Sequence, residues 1–191
     1  MSKSEEYKNR IITIHKSLGI TDLYEDIFKI EVLREENVEN LKSIGLDIYG
    51  REQFMEKNAA SYWKSMKEAA YNEGIELEVV SAFRSVDYQV EIISRKIMNG
   101  IPLIEILKSN AAPGYSEHHT GKALDIVSSS HKELTIDFER TLEFMWLCEN
   151  AIKFSFFLSY PRECKSKITY EPWHWSYIDN NQDIVKPIDL G

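Results

Sequence analysis

Cysteine is scarce in this chain, with Cys148 and Cys164 as the only two among 191 residues. Two thiols could form one disulfide, but neither lies in a cysteine-pair motif, so we predict that both are reduced. Cys148 falls in an apolar helical pattern, which predicts that it is a core residue.

Basic residues are fewer than acidic ones. The 23 Lys and Arg residues stand against 31 Asp and Glu residues, which gives a formal net charge of -8. Because phosphate binding needs clustered Lys and Arg, this balance argues against a nucleic-acid partner. It also argues against strong attraction to anionic lipid or anionic wall polymers, whereas small or soluble peptides remain compatible with it.

Long apolar runs are also missing, so the sequence predicts no membrane-spanning segment. The N-terminus is polar and lacks the apolar core of a signal peptide. If Met1 is the natural start, we expect a cytoplasmic protein; if a signal was removed, we expect a periplasmic or extracellular one. The length and a hydrophobic content of 43% fit one domain with a sizeable core.

Helices precede strands in the predicted order, without regular strand–helix–strand alternation. This order predicts an α+β fold, with a small and mostly antiparallel sheet flanked by helices. We divide the chain into an N-terminal helical cap over 1–50, a main domain over 51–180 and a polar tail over 181–191. Apolar periodicity predicts helices at 5–18, 51–73, 86–98, 102–107 and 138–151, a helical turn or two at 38–44, and strands at 30–33, 75–83, 122–127, 153–160 and 170–178.

The richest stretch is residues 114–126, which holds two histidines, a glycine and an aspartate. A second fragment near the C-terminus, residues 170–177, adds another histidine. Together they offer His118, Asp125 and His174 as nitrogen and oxygen ligands. Three protein ligands with a fourth position left to water are typical of a catalytic zinc site. We therefore predict one Zn²⁺ per chain.

The local patterns indicate how these side chains are presented. Residues 122–127 alternate polar and apolar, as in a half-buried strand, which places Asp125 in the strand and His118 in the loop before it. Pro172 makes a continuous helix before the last histidine unfavourable. Glu171 is therefore interpreted as a carboxylate beside the metal rather than as a charge on a helix surface.

The order of these residues resembles a known family. The pattern Ser-x-His-x-x-Gly-x-Ala-x-Asp beginning at Ser116, followed by Glu-Pro-Trp-His beginning at Glu171, resembles zinc D-alanyl-D-alanine carboxypeptidases of the VanY type. That family includes D,D-dipeptidases and L,D-carboxypeptidases that trim peptidoglycan stem peptides. A third fragment, Ser-Ala-Phe-Arg-Ser beginning at Ser81, resembles the family's Ser-x-x-Arg-Ser segment. The resemblance covers roughly residues 50–178.

The resemblance implies roles for the metal-site residues. It assigns the ligands to His118, Asp125 and His174, and it makes Glu171 the general base that accepts a proton from water. Adjacent residues of an extended segment point in opposite directions, so only one of two neighbouring histidines is expected to reach the metal. The family spacing selects His118. His119 is then expected either to contact the residues around the metal without binding it, or to be exposed.

The resemblance also implies a substrate anchor. The planar guanidinium of Arg84 suits a substrate carboxylate or the oxyanion of a tetrahedral intermediate, so Arg84 is both a catalytic and a substrate-binding candidate. Gln89 and Ser116 are implied to help hold the C-terminal carboxylate. Ser155 and Ser159 stand where the family has a glycine and an arginine, which bears on pocket specificity and not on the metal chemistry.

The implied function is a zinc carboxypeptidase that removes a C-terminal D-alanine from a small peptidoglycan-type peptide. Two alternatives within the family are an L,D-carboxypeptidase and a D,D-dipeptidase. An alternative from another class is a non-catalytic, zinc-containing module that binds peptides. The presence of Glu171 argues against this module, because binding alone needs no general base. Residues 128–135 and 161–169 are the candidate lids, and the oligomeric state is left open.

Overall fold

The computed structural model describes residues 2–21, 24–28, 30–163 and 168–179. Over these residues the fold is α+β, as predicted, with six helices and two antiparallel sheets instead of one. The helices are α1 Lys3–Leu18, α2 Tyr24–Phe28, α3 Lys57–Asn72, α4 Val86–Met98, α5 Leu103–Ser109 and α6 Leu142–Asn150. The strands are β1 Leu41–Leu46, β2 Glu52–Glu56, β3 Leu77–Ser81, β4 Ala123–Ser128, β5 Phe156–Leu158 and β6 His174–Tyr177.

The larger sheet has the strand order β3-β4-β6-β5, and each neighbouring pair is antiparallel. Strand β4 is central, and all six of its residues are buried. The prediction of a half-buried strand is wrong here, because β4 has a strand on each side and protein over both faces. Its register pairs Asp125 with His174 on β6 and with Ser81 on β3. Residues from three separate motifs thus meet at one end of the sheet.

The smaller sheet is the β1–β2 hairpin. It replaces the start of the helix predicted from residue 51 and most of the helical turns predicted at 38–44, both of which are wrong. Helix α3 begins only after Glu56, whose side chain accepts the backbone N–H groups of Asn58 and Ala59 in the first turn of the helix. The hairpin also crosses the boundary predicted at residue 50, so β1 is joined to the main domain through its sheet.

Two hydrophobic cores hold the elements together. The main core lies between α3 and the larger sheet and includes Trp63, Met66, Leu124 and Ile126. The second core is formed by α1, α2, α4 and α5, together with the chain that leads to His118. The predicted N-terminal helix is confirmed, and it ends at Gly19 in a left-handed conformation.

The chain between α2 and β1 lies along the loop that carries the histidines. The strand predicted at 30–33 is wrong, because the backbone bonds there go to that loop and not to a strand. Leu33 N–H donates to Gly114 O at 2.7 Å, and Glu36 N–H donates to His119 O at 2.8 Å. The N-terminal segment therefore braces the candidate site.

The helix predicted at 138–151 is divided. A 3₁₀ turn, Ile136–Arg140, precedes α6, and the side chain of Thr141 caps α6. Its apolar residues Leu142 and Met145 are exposed. The short helix contacts the core through Trp146 and Leu147.

Other sequence predictions concern the cysteines and the ends of the chain. Cys148 is exposed, so its assignment to the core is wrong. Cys164 and the tail over 181–191 lie outside the described residues. No helix in the described ranges combines the length and apolar character that a bilayer crossing requires.

Candidate active site

Three side chains converge at the end of the larger sheet. Asp125 lies on β4, His174 faces it from β6, and His118 lies in a 3₁₀ turn, Glu117–Thr120, just before β4. Each of the three offers one ligand atom, and these atoms lie within 4.8 Å of one another. All three side chains are buried. The residues predicted from separate motifs are therefore brought together in one cluster.

The hydrogen bonds determine which ring nitrogens face the cluster. His118 Nδ1 lies 2.6 Å from Ala82 O, so its N–H donates to that carbonyl, and Nε2 points to Asp125 Oδ2 at 3.2 Å. His174 Nε2 lies 3.0 Å from Glu117 Oε2, and Nδ1 lies 2.9 Å from Asp125 Oδ1. With Nε2–H donating to Glu117, Nδ1 is the nitrogen of His174 that can coordinate a metal, which would replace the proton shared there with Asp125.

The charges in the cluster also fit a cation. Burial alone would lower the pKa of His174, but the hydrogen bonds to Asp125 and Glu117 raise it to about 10. Burial alone would raise the pKa of Asp125, but His118 and His174 hold it well below its usual range. Asp125 is therefore ionised, and the two carboxylates around His174 favour positive charge at the cluster. Two imidazoles and a carboxylate are a donor set that zinc accepts.

Glu117 is a site residue that the sequence reasoning missed. It precedes His118 directly, and its carboxylate accepts from both His174 and Ser159 Oγ, the latter at 2.6 Å. The signal was available, because a ligand histidine usually donates its second ring N–H to a carboxylate, carbonyl or water. Ser159, which stands at the family's arginine position, thus contacts the carboxylate that orients a candidate ligand histidine.

Glu171 lies in the turn before β6 and lines a cavity of about 330 Å³ that also contains the three candidate ligands. Its backbone N–H donates to Tyr160 O at 3.1 Å, and its carbonyl accepts from His174 N–H at 3.1 Å. Burial raises the pKa of Glu171 to about 7. A carboxylate of this kind can take up and release a proton near neutral pH.

Arg84 follows β3 and lines the same cavity. Its guanidinium donates to Gln89 Oε1 at 2.9 Å and to Ser81 Oγ at 3.0 Å, and Nη2 lies 3.7 Å from Asp125 Oδ2. Gln89 is fully buried, and its amide donates to Ala111 O at 2.7 Å. Gln89 therefore positions Arg84, and its direct contact with substrate stays a prediction.

Ser116 is buried and belongs to the cavity wall, as a substrate-binding role requires. Both candidate lids contribute to the same wall, through Leu134 in the first and through Ile168 and Thr169 in the second. The substrate contact of Ser116 and the choice between the lids remain predictions.

His119 points away from the cluster and is fully buried, so the alternative of an exposed His119 is wrong. Its Nδ1 lies 2.6 Å from Arg84 O, and Gly114 N–H donates to its Nε2 at 3.1 Å. Burial lowers the pKa of His119 to about 4, so the ring is neutral and Nδ1–H donates to Arg84 O. His119 thus ties the Arg84 turn to the histidine loop.

The chain matches known proteins in both sequence and structure. The family model VanY, described as D-alanyl-D-alanine carboxypeptidase, matches residues 52–180. The chain is 39% identical over 132 residues to "Putative carboxypeptidase YodJ" of Bacillus subtilis (strain 168), covering 67% of this chain and 48% of that protein. It is 34% identical over 130 residues to a D-alanyl-D-alanine carboxypeptidase of Enterococcus faecium, covering 65% and 38%. The matches therefore span less than half of the length of either relative.

Solved structures have the same fold. The LdcB LD-carboxypeptidase superposes with a TM-score of 0.60 at 35% identity, covering 79% of this chain and 66% of that one. A mutant of the vancomycin resistance D,D-pentapeptidase VanY in complex with Zn(II) superposes with a TM-score of 0.59, covering 80% and 88%. At 24% identity, this second likeness supports the fold alone.

Proposed function

The chain belongs to the VanY family of D-alanyl-D-alanine carboxypeptidases, and we propose that it is a zinc-dependent carboxypeptidase acting on peptidoglycan stem peptides or their precursors. It would remove a C-terminal D-alanine. One observation carries the proposal: the candidate metal ligands, Glu171 and Arg84 all line one cavity. This combination supplies a metal, a base and a cationic anchor within reach of one small peptide.

His118, Asp125 and His174 would hold the ion, one per chain. Zinc bound there would supply Lewis acidity, which polarises a carbonyl group and makes water a stronger acid. The carboxylate of Glu171 would take the proton from the attacking water and deliver it to the leaving amine. Its raised pKa, caused by burial, suits both halves of that transfer.

Arg84 would stabilise negative charge on the substrate. Its guanidinium is fixed by Gln89 and Ser81 and lies next to the metal ligand Asp125, so it can donate to the terminal carboxylate or to the developing oxyanion. Ser116 would add a hydroxyl donor for the terminal carboxylate. A carboxypeptidase needs such an anchor, because it cleaves one residue back from a free C-terminus.

The second candidate is an L,D-carboxypeptidase, and it is favoured by the 35% identity to LdcB, which is named as an LD-carboxypeptidase. The two candidates share the metal site and the base, and they differ only in the stereochemistry accepted before the scissile bond. A D,D-dipeptidase and a non-catalytic peptide-binding module are the further alternatives.

The proposal is tested by mass spectrometry of three peptides incubated with the protein: a stem pentapeptide, a stem tetrapeptide and D-Ala-D-Ala. Each is incubated with and without a chelator. Loss of one alanine from the pentapeptide that the chelator prevents is the expected result. Cleavage of the tetrapeptide alone indicates an L,D-carboxypeptidase, and cleavage of the dipeptide alone indicates a dipeptidase. No cleavage by the zinc-loaded protein would contradict the proposal and favour the binding module.

A further inference from the structure

The wall of the active-site cavity contains a lysine with an unusual environment. Lys96 lies in the last turn of α4, is half-buried and lines the cavity. Its ammonium donates to Asn110 Oδ1, which is a neutral acceptor. Burial lowers the pKa of Lys96, and the positive charge of Arg84 acts in the same direction. Across the described ranges, no carboxylate lies within ion-pair distance of Lys96.

Among the described residues, the cavity lining contains two other Lys or Arg side chains, and both differ from Lys96. Lys108 lies 2.8 Å from Glu105 Oε1 on its own helix, and its side chain is 52% exposed. The Arg84 guanidinium is held by Gln89 and Ser81 and lies 3.7 Å from Asp125. Lys96 alone among the three has only an amide oxygen as its partner.

Charges removed from water are usually paired. In a chain with a net charge of -8, carboxylates are abundant, yet the described residues place none of them beside Lys96. A half-buried ammonium that faces a substrate cavity without an internal counter-ion is suited to receive an anion from the ligand. Asn110 fixes the direction of the ammonium without neutralising it.

We infer that Lys96 binds a carboxylate on a substrate side chain upstream of the scissile bond. The inference rests on the proposed function, in which Arg84 and Ser116 already serve the terminal carboxylate or the oxyanion beside the metal ligands. A further cation on the same wall then matches a further carboxylate. The preferred substrates are stem peptides whose third residue has a side-chain carboxylate, as the zwitterionic end of meso-diaminopimelate does. Lysine at that position would place an ammonium against the ammonium of Lys96.

The test uses two stem peptides that differ by one carboxylate, with either meso-diaminopimelate or L-lysine as the third residue. Each is made as a pentapeptide and as a tetrapeptide, so that the test holds for either cleavage specificity. The zinc-loaded wild-type enzyme is compared with Lys96→Gln and with the charge-retaining Lys96→Arg. The control is Arg95→Gln, which removes a positive charge from the same helix end at an exposed position outside the cavity lining. Thermal unfolding verifies that each variant is folded.

The wild type is expected to have a kcat/KM about tenfold or more higher for the diaminopimelate peptide, as a charge-assisted hydrogen bond predicts. Lys96→Gln is expected to abolish this preference, mainly through KM, without a loss of activity on the lysine peptide. Lys96→Arg and Arg95→Gln should keep the preference. Equal kcat/KM values for both peptides in the wild type, or an unchanged preference in Lys96→Gln, would overturn the inference. An equal loss on both peptides would also overturn it, because it would place Lys96 at the terminal carboxylate.

Failure of the proposed function is a separate outcome. If the wild type cleaves neither peptide, the function is wrong, and calorimetric binding of the same peptides to the wild type and to Lys96→Gln decides the inference alone. Tighter binding of the diaminopimelate peptide that disappears in Lys96→Gln supports it. Equal binding of both peptides by the wild type contradicts it.

Discussion

At the scale of the residue, each histidine of the site is oriented by the acceptor at its second nitrogen. Ala82 O holds His118, Glu117 holds His174, and Arg84 O holds His119. These bonds decide which rings can give a lone pair to a metal, and they explain how two adjacent histidines have separate roles. The spacing in the resembled family predicted His118 as the ligand. The contacts of Glu117 could not be predicted in this way, because they depend on the folded register of β4 and β6.

We predict that His118→Ala and His119→Ala separate metal binding from support of the loop. His118→Ala removes a ligand nitrogen, so zinc content measured by mass spectrometry should fall well below one per chain. His119→Ala should keep its zinc, although the loss of two buried hydrogen bonds should cost about 1–3 kcal/mol of stability. Loss of zinc from His119→Ala with retention in His118→Ala would reverse the assignment.

Glu171→Gln tests the base, because glutamine has nearly the same shape but cannot accept the proton. We expect a fall in kcat of about 10²–10⁴-fold, with zinc content unchanged. Steady-state kinetics on the pentapeptide and metal analysis of the same sample measure both quantities. Zinc loss in this variant would mean that Glu171 is a ligand and not the base.

At the scale of the element, short turns set the positions of the site loops. The turn between β1 and β2 is built around Asp47, whose buried carboxylate accepts from the backbone N–H groups of Tyr49 and Arg51 and from the side chains of Arg51 and Gln53. Gln53 Oε1 in turn accepts Ala82 N–H, and Ala82 O holds His118. The hairpin is thereby connected to a metal-ligand candidate through two hydrogen bonds of one residue.

This hairpin shows why part of the fold escaped prediction. Along β1, one half-buried residue is followed by two exposed residues, and this pattern occurs twice. It therefore lacks the alternation of buried and exposed residues by which a strand is recognised in a sequence. The helix predicted from residue 51 wrongly included β2, because the strong apolar periodicity of α3 was extended into that strand. By contrast, α1 ends at Gly19 and α4 is capped by Ser85, next to the helix boundaries predicted at residues 18 and 86, because local chemistry determines both positions.

Asp47→Asn is predicted to have a pH-dependent effect on stability. Burial alone would raise the pKa of Asp47, but its donors lower it below the usual value. The stabilisation that the ionised Asp47 carboxylate provides is therefore fully present above the pKa of about 4 that this group has in the unfolded chain. It is lost as the pH falls through the lower pKa of the folded state. Urea unfolding should show a deficit of about 1–3 kcal/mol for Asp47→Asn at neutral pH. The deficit should shrink below about pH 4, and an equal deficit at both pH values would contradict this account.

Gly121 ends the 3₁₀ turn of His118 at a φ of +68°, and a Cβ there would lie 2.9 Å from Glu56 N. Gly121→Ala should therefore lower the free energy of unfolding by more than the cost of backbone strain alone, which is about 1–3 kcal/mol. It should also weaken zinc binding. The matched control is Gly74→Ala, at a φ of +77° with no atom within 4 Å of a Cβ, which isolates the backbone strain. Chemical unfolding and zinc titration measure both effects, and equal losses in the two variants would refute the close-approach explanation.

At the scale of the whole molecule, the site lies where the two cores meet. The sheet and α3 present Asp125 and His174, whereas the second core and the N-terminal segment hold the loop of His118 through bonds such as Leu33 N–H to Gly114 O. The α+β class followed from the order of elements, and the candidate ligand set followed from the ordered motifs. The number of sheets and the contacts of Lys96 depend on tertiary packing, which no local pattern in the sequence contains.

The central claim, that one zinc ion per chain supports removal of a terminal D-alanine, is tested most directly by metal titration. The protein is stripped with a chelator, zinc is added back in steps, and alanine release from the preferred stem peptide is measured at each step. We predict no release from the stripped protein, a linear rise up to one zinc per chain, and no further rise beyond it. Release that is independent of zinc, or that needs two ions per chain, would contradict the account.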